Sequence, residues 1–370
     1  MEFFELDKVD VRDDLKSFVG YSAHTSPDYM KKKFGLDSNE IIKLDANENP
    51  YGCSPKVIDV LKDISSYSVY PDAAQTKLRE KLSVYTSMPM ENIVCGCGSD
   101  QLIDLIIRLF VNPGDEIITF NPTFSMYSFY GKLAGAKIIE IDRDETFDFY
   151  APGILNRLNK RTRLVFVANP NNPTGNLVSL VNIRSLLTNG IIVVVDEAYY
   201  EFCRETVAPW VEKYDNLIVL RTFSKWAGLA GLRIGYGIFP KHLAEYIMRI
   251  KDPYAINMAA QKAAIASLED KDLLMERVES IVFERDRLFG SLSSLEGLMP
   301  YPSSANFILC RLYDRSAAEF SAQLRERGIL VRYYNTPGME TLFRVSVGYP
   351  EQNDILIESI KEILGEGTQW

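Results

Sequence analysis

The residue of this sequence best placed for covalent chemistry is Lys225, which stands among small hydroxyl residues. It ends the run RTFSK at residues 221–225, which also supplies Thr222 and Ser224, and a glycine-rich turn and Arg233 follow. An amine attacks an aldehyde only when it is neutral, and burial together with nearby cations lowers the lysine pKa from about 10.4. A single lysine after a strand is normally a solvated surface residue, but these neighbours favour a lysine that forms a Schiff base.

A second chemical group, Asp196, directly follows the apolar run at residues 191–195. A carboxylate facing a pyridine nitrogen keeps that ring protonated, so that the ring accepts electrons. The same position in a strand-to-helix turn also suits a helix cap, and position alone does not separate the two interpretations. Tyr199, and Asn172 within NPNNPTG at residues 169–175, can donate hydrogen bonds to a phenolic oxygen of the ring. That segment is equally rich in turn-forming residues, so Asn172 alone is ambiguous.

An anion site is predicted where Gly98, Ser99 and Asp100 lead into a helix. A helix N-terminus offers backbone N–H groups and partial positive charge to a phosphate. The hydroxyls beside Lys225 and the guanidinium of Arg233 can complete that site. Together these groups are the parts required to bind a pyridine aldehyde phosphate, so the sequence predicts pyridoxal 5'-phosphate as the cofactor. A nucleotide-binding α/β protein is the weaker alternative, because the third glycine of the dinucleotide fingerprint is missing.

Three more residues are predicted to contact ligands. Phe124 follows a strand and can stack on the cofactor ring, although core packing explains the same position. Arg332 and Arg344 lie on successive predicted strands, and two converging arginines suit a carboxylate or phosphate of the substrate. Surface ion pairs are the alternative explanation for the two arginines.

The elements that must position these residues alternate between strands and helices. Strands are predicted at residues 92–97, 116–120, 137–141, 163–168, 191–195, 217–221 and 233–239, and helices at residues 100–110, 124–133 and 178–187. Strands that are apolar on both faces and separated by amphipathic helices indicate a mostly parallel sheet covered on both sides. In such sheets ligands bind beyond the carboxyl ends of the strands, where the reactive residues of this chain fall.

The chain divides into three predicted parts. Residues 1–45 form an N-terminal arm and the start of a small domain, with a short helix around residues 12–18. Residues 46–255 form the large cofactor-binding domain, and residues 256–370 form a small C-terminal domain. The last part is expected to hold one helical tract at 258–292, strands at 305–312, 329–333 and 342–347, and helices at 317–327 and 354–364.

Composition limits the class of protein. The chain has 370 residues, of which 46% are apolar and 25% charged, as in ordinary globular enzymes. Its net charge of −9 argues against nucleic acid as a partner. Five scattered cysteines and two histidines predict neither a disulfide framework nor a metal site. The acidic N-terminal segment and the lack of a long apolar stretch predict no secretory signal and no membrane span, hence a cytoplasmic enzyme.

Longer motifs resemble a known family. NPNNPTG at 169–175, DEAYYEF at 196–202 and RTFSKWAGLAGLRIG at 221–235 resemble the class I and II, fold-type I aminotransferases. LDANENPYG at 44–52 and LFRVSVGYPEQND at 342–354 narrow the resemblance to the histidinol-phosphate aminotransferase family. The resemblance covers nearly the whole chain from about Leu15. It implies a homodimer whose α/β subunit has a large, mostly parallel seven-stranded sheet domain sandwiched by helices and a smaller α/β domain.

The resemblance also implies roles for individual residues. Lys225 forms the Schiff base and moves a proton, and Asp196 pairs with the ring nitrogen. Tyr199 and Asn172 contact the ring hydroxyl. The cofactor phosphate is surrounded by Ser99, Asp100, Thr222, Ser224 and Arg233, and by Tyr70 from the neighbouring subunit. The anionic end of the substrate lies near Tyr21, Asn47, Arg332 and Arg344.

Two positions depart from the family pattern. Phe124 stands where many relatives have tyrosine, so stacking is retained and a hydroxyl is lost. Ser99-Asp100-Gln101 replaces the more usual Ala-Asp-Glu, and Ser99 still supplies a backbone N–H to a phosphate. Neither change affects the roles implied for Lys225 and Asp196.

The reaction implied is transamination of L-histidinol phosphate with 2-oxoglutarate, giving imidazole acetol phosphate and L-glutamate in histidine biosynthesis. An aromatic or broad-specificity aminotransferase and a threonine-phosphate-type decarboxylase on the same fold remain alternatives. A cofactor-sensing regulator is disfavoured by the acidic charge and by the lack of an attached DNA-binding domain in the sequence.

Overall fold

The computed structural model describes residues 11–16, 18, 20, 31–32 and 41–365. Within them the helices are α1 (Asp13–Lys16), α2 (Pro55–Lys62), α3 (Thr76–Thr86), α4 (Gly98–Phe110), α5 (Met126–Leu133), α6 (Ala151–Leu155), α7 (Leu180–Leu187), α8 (Tyr200–Cys203), α9 (Lys241–Ile250), α10 (Met258–Glu269), α11 (Lys271–Ser293), α12 (Ala317–Glu326) and α13 (Pro350–Leu364). The strands are β1 (Ile42–Lys43), β2 (Ile93–Gly96), β3 (Glu116–Asn121), β4 (Lys137–Asp142), β5 (Thr162–Ala168), β6 (Ile192–Asp196), β7 (Leu217–Thr222), β8 (Gly235–Ile238), β9 (Leu298–Pro300), β10 (Phe307–Leu312), β11 (Ile329–Leu330), β12 (Arg332–Tyr333) and β13 (Leu342–Ser346).

The large sheet has seven strands in the order β2-β8-β7-β6-β5-β3-β4. Its neighbouring strands are parallel except β8, which runs antiparallel to both β2 and β7. The inner strand β7 is buried along its whole length, whereas the edge strand β4 is not. This agrees with the apolar runs of the sequence and confirms the predicted mostly parallel, seven-stranded sheet.

Both faces of this sheet are covered by apolar side chains. Successive residues of β6 point to opposite faces, so Val193 and Val195 join one core cluster and Val194 joins the other. On the first face Ile183 of α7 and Ala263 of α10 complete the core. The other face is closed mainly by the isoleucines of α4 and by α9. The sheet is therefore a rigid support whose strand ends can carry reactive groups.

A smaller α/β unit is built around a second sheet. Strands β12, β13, β10 and β9 form an antiparallel four-stranded sheet in that order, and β1 pairs with β11 in parallel. Its apolar core includes Phe320 of α12 and Leu356 of α13. This confirms the predicted smaller α/β domain, while the boundaries after residues 45 and 255 stay predictions.

Two expectations about local structure were wrong. The tract at 258–292 is two helices, because the backbone of Asp270 leaves helical geometry between α10 and α11, and its carboxylate pairs with Lys56 at 2.9 Å. The single strand at 329–333 is also divided. The chain changes partner at Val331, pairing first with β1 and then with β13.

The helices α2, α3, α6, α8 and α9 were missed, although Pro55 in the first turn of α2, directly after Ser54, is a readable start signal. None of the helices in the described part of the chain combines the length and apolar character that crossing a bilayer requires.

Candidate active site

A cavity of about 1470 Å³ opens at the carboxyl ends of the central parallel strands, between them and the smaller sheet. Strand β6 ends there at Asp196 and β7 ends there at Thr222, and the loop after β5 brings Asn172. Most of the residues singled out in the sequence line this one cavity: Asn47, Ser99, Asp100, Phe124, Asn172, Asp196, Tyr199, Thr222, Ser224, Lys225, Arg233, Arg332 and Arg344.

Lys225 extends its amine into the cavity and donates a hydrogen bond from Nζ to the carbonyl oxygen of Ala46 at 3.0 Å. Burial lowers the pKa of this amine to about 8, and the cations of Arg344 and Arg233 act in the same direction, against the nearby carboxylate of Glu48. Near pH 8 about half of such amines are neutral. The amine is therefore available as a nucleophile and as a base.

Asp196 is buried at the floor of the cavity. Its Oδ2 accepts a hydrogen bond from Oη of Tyr127 at 2.7 Å, and its Oδ1 accepts one from the backbone N–H of Ala198 at 3.1 Å. Burial raises the pKa of this carboxyl to about 6, although both hydrogen bonds oppose the rise. In the described residues no cationic side chain forms an ion pair with Asp196. A protonated pyridine nitrogen supplies the positive partner that such a carboxylate requires.

The start of α4 is shaped for a phosphate. Gly98 has a φ of +73°, and a Cβ there would stand 2.5 Å from Nη2 of Arg233, so only glycine allows this guanidinium to approach. A Cβ on Gly235 would likewise stand 2.7 Å from the backbone nitrogen of Ser99. The two glycines keep a cation and the helix N-terminus together on one side of the cavity.

Arg233 is oriented by a carboxylate. Its Nη2 donates a hydrogen bond to Oδ2 of Asp100 at 2.8 Å. Burial raises the pKa of the Asp100 carboxyl, and Arg233 opposes that rise. Nearby, Oγ1 of Thr222 donates a hydrogen bond to Oγ of Ser224 at 2.9 Å. These hydroxyls and the guanidinium are the donors expected around a bound phosphate. The site therefore fits both the ring and the phosphate of pyridoxal 5'-phosphate.

Hydrogen bonds tie the second sheet to the floor of the cavity. Arg344 on β13 donates from Nη1 to Oδ1 of Asn172 at 2.5 Å and from Nη2 to the carbonyl of Asp45 at 2.7 Å. Asn47 donates from Nδ2 to Oη of Tyr199 at 2.9 Å. Burial raises the pKa of Tyr199 to about 12, so its phenol keeps its proton at neutral pH.

Tyr127 is the site residue that the sequence reasoning missed. It is fully buried, lines the cavity and meets the ring of Phe124 edge-on at 5.6 Å between centroids. Phe124 lies two residues before α5 and Tyr127 lies in the first turn of α5, and residues three apart in a helix share one face. That spacing was the available signal, because the sequence already placed a helix at 124–133.

Two predicted site residues in the described part of the chain stand apart from the cavity lining. Gly98 lies behind it, against Arg233. Tyr70 is 75% exposed and stacks on Tyr254 with centroids 4.4 Å apart, outside the cavity. Tyr21 lies outside the described residues. The remaining predicted residues are brought together around one volume, and their roles stay predictions.

A sequence model of the family described as aminotransferase class I and II matches residues 39–360. The chain belongs to this aminotransferase family. It is similar to the histidinol-phosphate aminotransferase of Dehalococcoides mccartyi strain BAV1, with 49% identity over 95% of this chain and 97% of that protein. It is also similar to the chloroplastic histidinol-phosphate aminotransferase 1 of Arabidopsis thaliana, with 41% identity over 95% of this chain and 85% of that protein.

Solved structures agree on the fold. The histidinol-phosphate aminotransferase of Sinorhizobium meliloti in complex with pyridoxal-5'-phosphate has a TM-score of 0.86 at 24% identity, covering 97% of this chain and 99% of that one. The enzyme from Clostridium acetobutylicum has a TM-score of 0.82 at 25% identity, covering 88% and 100%. The predictions of the fold class, an aminotransferase and a pyridoxal 5'-phosphate cofactor are confirmed.

Proposed function

We propose that this aminotransferase exchanges an amino group between L-histidinol phosphate and 2-oxoglutarate, giving imidazole acetol phosphate and L-glutamate in histidine biosynthesis. The relatives that are 41–49% identical over 95% of the chain are histidinol-phosphate aminotransferases. The observation that carries the proposal is the cavity itself. It contains an amine of lowered pKa, Lys225, a buried carboxylate, Asp196, and two arginines of the smaller sheet, Arg332 and Arg344.

The cofactor requires contacts to its pyridine ring and contacts to its phosphate, and this chain has residues for both. In this assignment Asp196 pairs with the ring nitrogen, and Tyr199 and Asn172 contact the ring hydroxyl. Phe124 stacks against the face of the ring. The phosphate is assigned to the backbone at Gly98, Ser99 and Asp100 and to the side chains of Thr222, Ser224 and Arg233. Bound there, pyridoxal 5'-phosphate supplies an aldehyde for the amino group and a protonated ring that withdraws electrons from the reacting carbon.

Lys225 is proposed to work as both acid and base. Near pH 8 a large fraction of Lys225 amines is neutral. A neutral amine can remove a proton from the substrate carbon, and the resulting ammonium can give that proton to the atom on the cofactor side of the reacting nitrogen. Burial, together with the positive charges of Arg344 and Arg233, disfavours a positive charge on Lys225 and so lowers the pKa of its amine. A pKa near the working pH favours proton transfer in both directions.

The substrate's anionic end is assigned to Arg332, Arg344 and Asn47, with Tyr21 of the N-terminal arm. Guanidinium groups bind carboxylate and phosphate through two parallel hydrogen bonds. Arg344 is already held by Asn172 and by the carbonyl of Asp45, so its position does not depend on substrate. A fixed cation of this kind suits an enzyme that must accept two different anionic substrates in turn.

We further propose a cytoplasmic homodimer in which Tyr70 reaches the phosphate of the neighbouring subunit. Tyr67, Val69 and Tyr70 expose 60–75% of their surface on one short segment, beside the half-exposed Tyr254. Such an exposed apolar group is typical of a surface that binds another protein. All five cysteines are free, which suits a reducing compartment. The division into residues 1–45, 46–255 and 256–370 is retained as part of this proposal.

The test is a substrate panel with 2-oxoglutarate as the acceptor. We expect histidinol phosphate to be used with a much higher kcat/KM than phenylalanine, because a phosphate offers the two arginines more negative charge and more acceptor oxygens than the single carboxylate of phenylalanine. Glutamate formation and carbon dioxide release should be measured together. Carbon dioxide from threonine phosphate would favour the decarboxylase, and equal rates with aromatic amino acids would favour a broad-specificity enzyme.

A further inference from the structure

The hydroxyl of Tyr127 is held in one place from three sides. Its ring stacks on Phe166 of β5, with centroids 4.7 Å apart and planes 8° apart, and meets Phe124 edge-on. Its Oη lies 2.7 Å from Oδ2 of Asp196. The side chain is fully buried. Because packing fixes the ring, the phenol oxygen stays within hydrogen-bonding distance of the carboxylate in either charge state of Asp196.

This hydroxyl is a donor throughout the working pH range. Burial and the neighbouring carboxylate of Asp196 raise the pKa of Tyr127 well above 10, so the phenol stays protonated. A hydrogen bond to an ionised carboxylate is about twice as strong as one between neutral groups. The bond therefore stabilises the charged form of Asp196 more than the protonated form, against the effect of burial.

We propose that Tyr127 is a positioning residue that keeps Asp196 ionised and so leaves the proton on the ring nitrogen of the bound cofactor. The inference rests on the proposed function and adds a residue that the assignment of the site did not contain. Without the phenol, the carboxylate has a higher affinity for the ring proton, and the ring loses positive charge.

Other charged groups near Asp196 are already engaged elsewhere. Glu197, next in the chain, accepts a hydrogen bond from Arg221 at 2.8 Å, and Asp100 of α4 is paired with Arg233. The groups that face Asp196 or the Tyr127 phenol are Glu197 and Tyr199 from its own segment, Asp100 from α4 and Arg143 from the chain after β4. Within the described residues, Tyr127 is the side chain that donates directly to Asp196.

The test is Tyr127→Phe in the purified enzyme with its cofactor. The ring and its stacking are kept, and one hydroxyl is lost. We expect the cofactor dissociation constant to rise severalfold, because a carboxylate that takes up the ring proton no longer forms a full ion pair with the ring. We also expect the pH midpoint of the bound cofactor's absorbance change to move up by about one unit. A less positive ring lets the Lys225 nitrogen keep its proton to higher pH.

Tyr85→Phe is the matched control. Tyr85 also donates a hydrogen bond to a buried carboxylate, Glu201, at 3.1 Å, but neither residue lines the cavity. This variant should leave the dissociation constant and the absorbance midpoint unchanged. If both variants shift them equally, the effect is a general loss of packing and the proposal is wrong.

A second comparison uses Asp196→Asn. In that background Tyr127→Phe should have no further effect on the absorbance midpoint, because asparagine has no ionisable group whose charge the phenol could stabilise. A wild-type midpoint and dissociation constant in Tyr127→Phe alone would overturn the inference. That outcome leaves the proposed function intact, whereas a wild-type protein that binds no pyridoxal 5'-phosphate would refute the proposed function itself.

Discussion

Arg332 and Arg344 stand directly opposite each other on the antiparallel strands β12 and β13. Opposed residues of an antiparallel pair project from the same face with Cβ atoms about 4.5–5.5 Å apart, and like charges there repel. Both side chains line the cavity, and Arg344 is held toward it by Asn172. An anion between the two guanidinium groups would offset this repulsion, so binding of an anionic substrate there is electrostatically favourable.

Arg332→Gln is expected to lower kcat/KM for histidinol phosphate by about 10- to 100-fold, the loss of one or two charge-assisted hydrogen bonds. Most of the loss should appear in KM. Steady-state kinetics on histidinol phosphate and on an amine donor that carries neither phosphate nor carboxylate measure the difference. Arg311→Gln, on β10 of the same sheet but outside the cavity lining, should leave both substrates unaffected. Equal losses for donors with and without phosphate would contradict the assignment.

Lys225 should capture the cofactor at a rate that rises with pH around a midpoint near 8. Its lowered pKa of about 8 means that the reactive neutral amine becomes dominant above that pH. Stopped-flow absorbance on the cofactor-depleted enzyme, mixed with pyridoxal 5'-phosphate between pH 6.5 and 9.5, measures the rate. Lys225→Ala should show no such absorbance change and should lose several orders of magnitude in turnover. Near-wild-type turnover of that variant would remove the basis of the mechanism.

Asp196→Asn should stabilise the cofactor-free protein above pH 6 while it weakens cofactor binding. The folded-state pKa of about 6 lies above the unfolded value near 3.8, so the wild-type protein loses stability as pH rises from about 4 to 6. Asparagine does not ionise, so the variant avoids this loss, which is on the order of 3 kcal/mol. Urea unfolding of both proteins at several pH values measures this difference in stability. A stability difference that does not vary with pH would show that burial does not raise the pKa of Asp196 as described.

Gly98→Ala should weaken cofactor binding by about tenfold or more, because the added Cβ would displace the Arg233 guanidinium and φ is positive. Gly231→Ala is the matched control, since nothing lies within 4 Å of its Cβ position on the same stretch of chain as Arg233. Fluorescence titration with pyridoxal 5'-phosphate measures the cofactor affinity of both variants. Equal affinities of the two variants would place the phosphate elsewhere.

Tyr70 can be tested by mixing two defective subunits. In a dimer of one Lys225→Ala subunit and one Tyr70→Phe subunit, one site has both wild-type residues if Tyr70 acts across the interface. Random reassociation of equal amounts should then restore about a quarter of wild-type activity, above the residual activity of Tyr70→Phe alone. Activity that does not exceed the average of the two parent variants would show that Tyr70 acts within its own subunit or not at all.

Much of the fold followed from local patterns. The apolar run before Asp196 predicted a parallel strand covered on both faces, and β6 is one, because both of its faces pack against other elements. Patterns of this kind need no knowledge of distant residues. The break at Asp270 and the partner change at Val331 were not predictable in this way, since each depends on which remote element the chain meets.

The sequence by itself determined the chemical inventory and the order of the elements: a lysine between hydroxyls, a carboxylate after a buried strand, glycines before a helix. Only the tertiary structure decided that Tyr127 meets Asp196 and that Arg332 faces Arg344. It also lowered the Lys225 pKa, because that shift arises from burial and from Arg344, which is far away in sequence. Types and spacing are local properties of a chain, whereas distance, burial and charge proximity exist only after segments remote in sequence have packed together.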